Sequence, residues 1–449
     1  MTGRTAGRTA GTAGRTDDDG GRPAGPAGWR AWLGCLTALG VLLAMVYGLA
    51  WVFLSNSGYW PGSSMTTSWE APRDREASDA DGPWVAGDTV VRGRFDGLVG
   101  YELASGKRRW EYVLPGRAET CATGVDPGAG IALLVHRRGG PAKGQGQGQD
   151  TDAQAAGCVT VTAVRLADGR ELWHTTRSGS EARLAHGEDL VRAGDGLGVL
   201  FDDGRLRALD LRTGAQRWTA ALPKGCVLGG LGLAPKRVLA ALGCGAEAEL
   251  AAYDPADGTA RWKVPLDARR GVAADATLVV LSADPPAVWF GESGGERAVL
   301  GFGPDGRPRS RIDAVGDYGS ITQTAAEGGR LFAVASYEGG QGGSWERLVA
   351  FDLASGDELW REDVGNGLSR VDVLEARDGR VTTVRTNAKE GDTLYSFDAA
   401  TGDEEEDRSF RDHVVGYGDP LRGLVTHGDW ALLTRDGGER RPFSVYERW

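Results

Sequence analysis

Three sets of residues in this chain are of types that could do chemistry. Gly291-Glu292-Ser293-Gly294-Gly295 fits the G-x-S-x-G pattern of a nucleophilic serine. That turn works only where a strand leads in and a helix leads out, so that the hydroxyl stands exposed. Here a strand-like run, Arg297 to Phe302, follows the glycines, so the match is read as a loop. The five histidines, His136, His174, His186, His413 and His427, show neither H-x-H nor H-E-x-x-H spacing and signal no zinc site. Apart from Cys35, the cysteines are Cys121, Cys158, Cys226 and Cys244, an even set without C-x-x-C spacing. Such a set suits two disulfides rather than a metal centre, and it allows three pairings. No catalytic, cofactor-binding or metal-binding residue is assigned.

The elements that position these residues are copies of one hairpin. In LVAFDLASGDELW, Leu348 to Trp360, an apolar alternation with the two-residue period of a half-buried strand runs into Ala354-Ser355-Gly356, and a second strand ends on an indole. The same unit ends at Trp110, Trp173, Trp218 and Trp262, each four residues after its turn glycine. Two further copies carry Ser310 and Glu406 in place of the indole. The seven positions are separated by 63, 45, 44, 48, 50 and 46 residues, a period that suits four short strands per repeat, the blade of a β-propeller. TTSWEAP around Trp69 resembles a second half without its first, and Phe443 to Arg448 a first half without its second. Unpaired edges are costly, so these two pieces are expected to pair and close an all-β, eight-bladed propeller of four-stranded blades. The docking residues are then Trp69, Trp110, Trp173, Trp218, Trp262 and Trp360.

Within this frame Cys226 opens an innermost strand and Cys244 closes the next, and Cys121 occupies the matching place in an earlier unit, ahead of Cys158. The expected disulfides are Cys121 with Cys158 and Cys226 with Cys244. Asp210, Asp254, Asp352 and Asp398 recur at the turn, where a carboxylate accepts hydrogen bonds from turn amides.

The small-apolar-Asp, turn-Gly and Trp pattern resembles the tryptophan-docking motif of the pyrroloquinoline-quinone-like (PQQ-like) β-propeller repeats, over about residues 66–449. The resemblance implies the propeller fold. It leaves function open, because the family holds quinoprotein alcohol dehydrogenases as well as non-catalytic binding propellers such as the lipoprotein of the β-barrel assembly machinery. The dehydrogenases of the family carry a disulfide between adjacent cysteines and acidic and amide ligands for Ca²⁺. No two cysteines are adjacent here.

Residues 1–30 hold Gly, Thr, Ala and Arg with almost nothing to bury, and are expected to be a disordered cytoplasmic tail. Residues 31–54, from Ala31 to Leu54, contain no charge and read as a transmembrane helix, with Trp32, Tyr47 and Trp51 as interfacial anchors. A cleaved signal peptide is the alternative. Residues 55–65 form a juxtamembrane stalk, residues 66–449 the propeller, and Gly139 to Gly157 a low-complexity surface insertion. Five Arg against three Asp in the first thirty residues, followed by an uncharged stretch, leave the remainder of this −11 chain at −13, which disfavours nucleic acid. Tyr337 to Trp345, YEGGQGGSW, is read as a hairpin connection, with a binding loop as the other reading.

The expected protein is thus a non-catalytic propeller on a single-pass cell-membrane anchor, N-terminus inside and propeller extracellular. It takes no cofactor and acts as a scaffold for an envelope or secreted protein. An extracytoplasmic small-molecule sensor or carrier is the alternative, with a quinoprotein dehydrogenase behind it.

Overall fold

The structure is a computed structural model. It describes residues 27–56, 64–72, 82–137, 157–177, 191–339, 343–365, 367–387, 389, 391–411, 414, 421–435 and 442–448. The tail up to residue 26, most of the stalk, nearly all of the 139–157 insertion, and His186 and His413 lie outside the described residues.

The chain divides into two units, Met1–Ser57 and Gly58–Trp449. The first contains one α-helix, Ala27–Asn56. Here the membrane expectation is corrected: among the described residues, no helix is long and apolar enough to cross a membrane.

The second unit is built of strands. Six sheets follow in chain order: Trp84–Val113, Thr120–Thr176, Val191–Ala221, Cys226–Pro265, Thr277–Asp313 and Val315–Gly365. The first five are four-stranded antiparallel meanders, and the sixth gains a fifth strand from the short pairing of Val315 and Gly316 with Ser320 and Gly319. The seventh sheet has eight strands. In it the meander Ser369–Phe410 is joined to a second meander by Ser64–Glu70, which pairs in parallel with Ser409 and Phe410 and antiparallel with Phe443–Arg448. The pairing expected between the Trp69 strand and the last strand is therefore present. The expected eight separate four-stranded blades are not, because Ser64 and Met65 fuse two meanders into one sheet. The strand order does not describe a single eight-bladed ring.

The core is a series of apolar layers between successive sheets. Val199, Phe201 and Trp218 of the third sheet, for example, pack with Leu228, Leu242 and Tyr253 of the fourth. Val445 and Phe443 of the eight-stranded sheet likewise pack with Val90, Val99 and Tyr101 of the first. Innermost strands are also tied to one another. Arg192 Nε donates to the Leu231 carbonyl at 3.0 Å, and Gln323 Nε2 to the Val371 carbonyl at 2.8 Å.

Candidate functional site

Each indole reaches forward to the hairpin turn of the following sheet. Trp69 Nε1 donates to Leu103 O (2.6 Å), Trp173 to Leu211 O (2.9 Å), Trp218 to Pro255 O (2.8 Å), Trp262 to Pro304 O (3.0 Å) and Trp360 to Ala399 O (3.3 Å). The ring lies flat on the turn glycine. At Gly214, with φ +71°, an added Cβ would come within 2.6 Å of the Trp173 ring, so both the turn and the indole require a residue without a side chain. Trp110 covers Gly169 in the same way, but among the described residues its buried Nε1 has no hydrogen-bond partner.

The two positions without an indole solve the same contact differently. Ser310 Oγ donates to the Leu353 carbonyl at 2.6 Å, with the sheets close enough that a Cβ on Gly301 would lie 2.2 Å from that oxygen. Glu406 accepts two hydrogen bonds from Arg448, both at 2.9 Å. Nothing in the size or periodicity of either residue announces these roles.

The recurring aspartates serve the turns. Asp210 Oδ1 accepts from the Arg212 and Thr213 amides at 3.1 and 3.0 Å, and Asp352 Oδ1 from the Ala354 and Ser355 amides at 2.8 Å each. Asp254 and Asp398 do the same at Ala256, and at Ala400 and Thr401. The Arg217 guanidinium and the Thr213 hydroxyl and amide hold the Asp210 carboxyl at about 2. These carboxylates are committed to their own hairpins. In the G-x-S-x-G segment, Glu292 Oε1 accepts from the Ala273 amide at 2.9 Å, and the strand Arg297–Phe302 follows the turn as expected.

The disulfides join Cys121 to Cys158 and Cys226 to Cys244, with Cα atoms 6.2 and 4.1 Å apart. Cys226 stands directly opposite Cys244 in an antiparallel pair. Antiparallel order puts both bridges at the same end of their sheets. At the other end, the first hairpin of every meander and the indole-bearing turns are short, as at 127–130, 195–196 and 211–215. The strand ends that flank the connections 71–83, 137–159, 177–190 and 411–420 lie at the disulfide end.

At that end stands the hairpin of Arg330–Glu338 and Ser344–Asp352, whose nine-residue strands pair as far as Glu338 opposite Ser344. Arg347 stacks over the Tyr337 ring at 3.5 Å, and the Tyr337 hydroxyl donates to Asp363 at 2.9 Å. The Trp345 ring lies 6.4 Å from that of Tyr337. The aromatics expected to flank a loop therefore sit within a paired, braced extension, and the loop tip 340–342 lies outside the described residues.

Repeated antiparallel sheets joined by indole-on-glycine contacts define a β-propeller of PQQ-like repeats. The family model described as outer membrane protein assembly factor BamB matches residues 63–227, 202–298 and 246–405, and the chain belongs to this PQQ-like β-propeller family. Among solved structures, a quinohemoprotein alcohol dehydrogenase from Pseudomonas putida HK5 is similar in fold (TM-score 0.51, 11% identity, 86% of this chain and 77% of that one). BamB from Moraxella catarrhalis is also similar (TM-score 0.49, 14% identity, 85% of this chain and 99% of that one). No curated protein matches the chain.

Proposed function

We propose that this chain is a non-catalytic propeller that works outside the cytoplasm as a scaffold for an envelope or secreted protein. The observation that carries the reading is the difference between the two ends of the sheets. One end is given over to short turns and docking contacts. The other carries both disulfides and the braced Tyr337–Arg347–Trp345 hairpin. Trp, Tyr and Arg dominate the energetics of protein interfaces, and functional contacts concentrate on loops held by a rigid frame. Two disulfides suit an oxidising compartment. The family model's description as an assembly factor supports a binding role. The recurring aspartates spend their Oδ1 atoms on turn amides, a structural use.

The test is photo-cross-linking in whole cells from a probe placed at Ser344, beside the hairpin. Reproducible capture of one exported protein, lost in Tyr337→Ala/Trp345→Ala, supports the scaffold. Absence of a captured protein, together with dye reduction when PQQ and Ca²⁺ are added to the purified chain, overturns it in favour of a dehydrogenase.

A further inference from the structure

Arg177 is 4% exposed and follows directly on the outer strand of the second sheet, Glu171–Thr176. Its backbone amide donates to the Val159 carbonyl at 2.7 Å and its Nη1 to the Cys158 carbonyl at 2.9 Å. Cys158 is in turn tied to Cys121 by the disulfide. The guanidinium is thus held in place through Nη1. Its Nε and Nη2 are buried and have no hydrogen-bond partner among the described residues.

Arg207, from the strand Arg205–Asp210 of the third sheet, crosses to the same segment. Its Nη1 donates to the Thr176 carbonyl at 3.0 Å and its Nη2 to Thr175 Oγ1 at 3.2 Å, while Asp202 accepts from Nη1 at 3.2 Å. Its Nε is a further buried donor without a partner among the described residues. Two guanidiniums therefore stand at one contact between sheets.

The unmatched pair on Arg177 has a definite geometry. Nε–H and Nη2–H lie on one edge of the planar group and point the same way, the edge that takes two oxygens of a carboxylate or phosphate side by side. A guanidinium does not escape by giving up its proton, so two charged donors shut away from water cost free energy until an acceptor meets them. Burial and the neighbouring Arg207 charge both push the Arg177 guanidinium down, against the pull of Asp202, and an anion on the unmatched edge would offset both.

We propose that the Nε–Nη2 edge of Arg177 is a binding site for a small oxyanion that presents two oxygens together, of the phosphate or carboxylate class. Because the donors are closed to solvent, the site admits only a small ion. Once seated, the ion supplies the two missing acceptors and stabilises the contact between the second and third sheets, since it binds the folded chain alone.

The site is tested by equilibrium dialysis of the full chain against radiolabelled inorganic phosphate or formate, at an ionic strength fixed with chloride. The expected result is one saturable ion per chain for at least one of the two probes. Arg177→Lys keeps the charge and the aliphatic stem but offers no paired edge, and should weaken that binding by about tenfold or more. Arg212→Lys, at an exposed turn position, should leave it unchanged. No saturable binding of either ion to the parent chain overturns the site without reference to any variant. Equal affinity in the parent and in Arg177→Lys also overturns it, since the ion would then be held elsewhere.

Discussion

Ser310 Oγ and the Leu353 carbonyl stand 2.6 Å apart, and Leu353 holds the same place before its turn glycine as Leu211, the acceptor of the Trp173 indole. A hydroxyl thus replaces an indole N–H while the sheets draw together around Gly301. Ser310→Ala would leave the buried carbonyl without its donor, a loss of about 1–3 kcal/mol. Ser310→Trp would not restore the motif: with Gly301 backed against Leu353 there is no room for the ring, and overpacking costs about 1–3 kcal/mol. Denaturant unfolding of both variants measures this, and a stabilised Ser310→Trp would refute it.

Trp218 and Trp110 occupy equivalent positions but differ in their hydrogen bonds. Trp218 is 5% exposed and donates to Pro255, whereas Trp110 Nε1 has no partner among the described residues. Replacement by Phe keeps most of the ring and removes the N–H. The expected outcome is that Trp218→Phe costs more than Trp110→Phe by about 1 kcal/mol. Trp218→Ala should lose about 3–5 kcal/mol through the cavity as well. Unfolding midpoints of the three variants, compared with the parent, give the answer.

What the sequence made legible follows from what is local. The turn glycine, the Asx-turn aspartate and the Trp four residues on lie within one hairpin, so a string of letters is enough to show them. The cysteine pairs were legible because Cys226 and Cys244 terminate adjacent strands of one meander. The fusion of two meanders was not, because it depends on Ser64 meeting Ser409, a contact that no spacing encodes. The uncharged stretch from Ala31 to Leu54, its arginine-rich flank and its aromatics read as a transmembrane helix, yet among the described residues no helix is long and apolar enough to cross a membrane. Tyr112 and Glu171 come from different sheets, so the hydrogen bond between them exists only once the sheets are packed.

Glu375 gives a pH dependence with a definite sign. Its Oε2 accepts from the Thr426 amide at 2.8 Å and hydroxyl at 2.7 Å, tying two innermost strands. Burial raises its pKa above the ordinary glutamate value, more than the Thr426 hydrogen bonds lower it. The folded state therefore holds the proton more tightly than the unfolded chain. The contribution is fully present below the unfolded pKa and is lost as pH rises through the folded one. Glu375→Gln keeps an acceptor and cannot ionise, so its stability relative to the parent should improve as pH rises across that window. A difference that stays flat with pH, measured by parallel unfolding curves, would contradict the assignment.

Glu406 and Arg448 fasten the junction of the eight-stranded sheet. The guanidinium meets both carboxylate oxygens at 2.9 Å and donates a third bond to the Gly428 carbonyl at 2.7 Å. Arg408 also pairs with Glu406. The side chains are only 12% and 24% exposed, so salt screens the pair less than it would a surface contact. Beside it the parallel pairing runs for only two positions, Ser64 with Ser409 and Met65 with Phe410. The ion pair adds a partly buried charged contact to this short junction, beside the Phe410–Tyr446 ring contact and the Glu375–Thr426 bonds. A double-mutant cycle of Glu406→Ala and Arg448→Ala should show a coupling of about 1–3 kcal/mol that persists in added salt. Amide exchange of Met65 should accelerate in either single variant while amides of the Cys226–Pro265 sheet keep their protection. Additive effects in the cycle, or faster exchange spread evenly over all sheets, would show that the junction is held by packing alone.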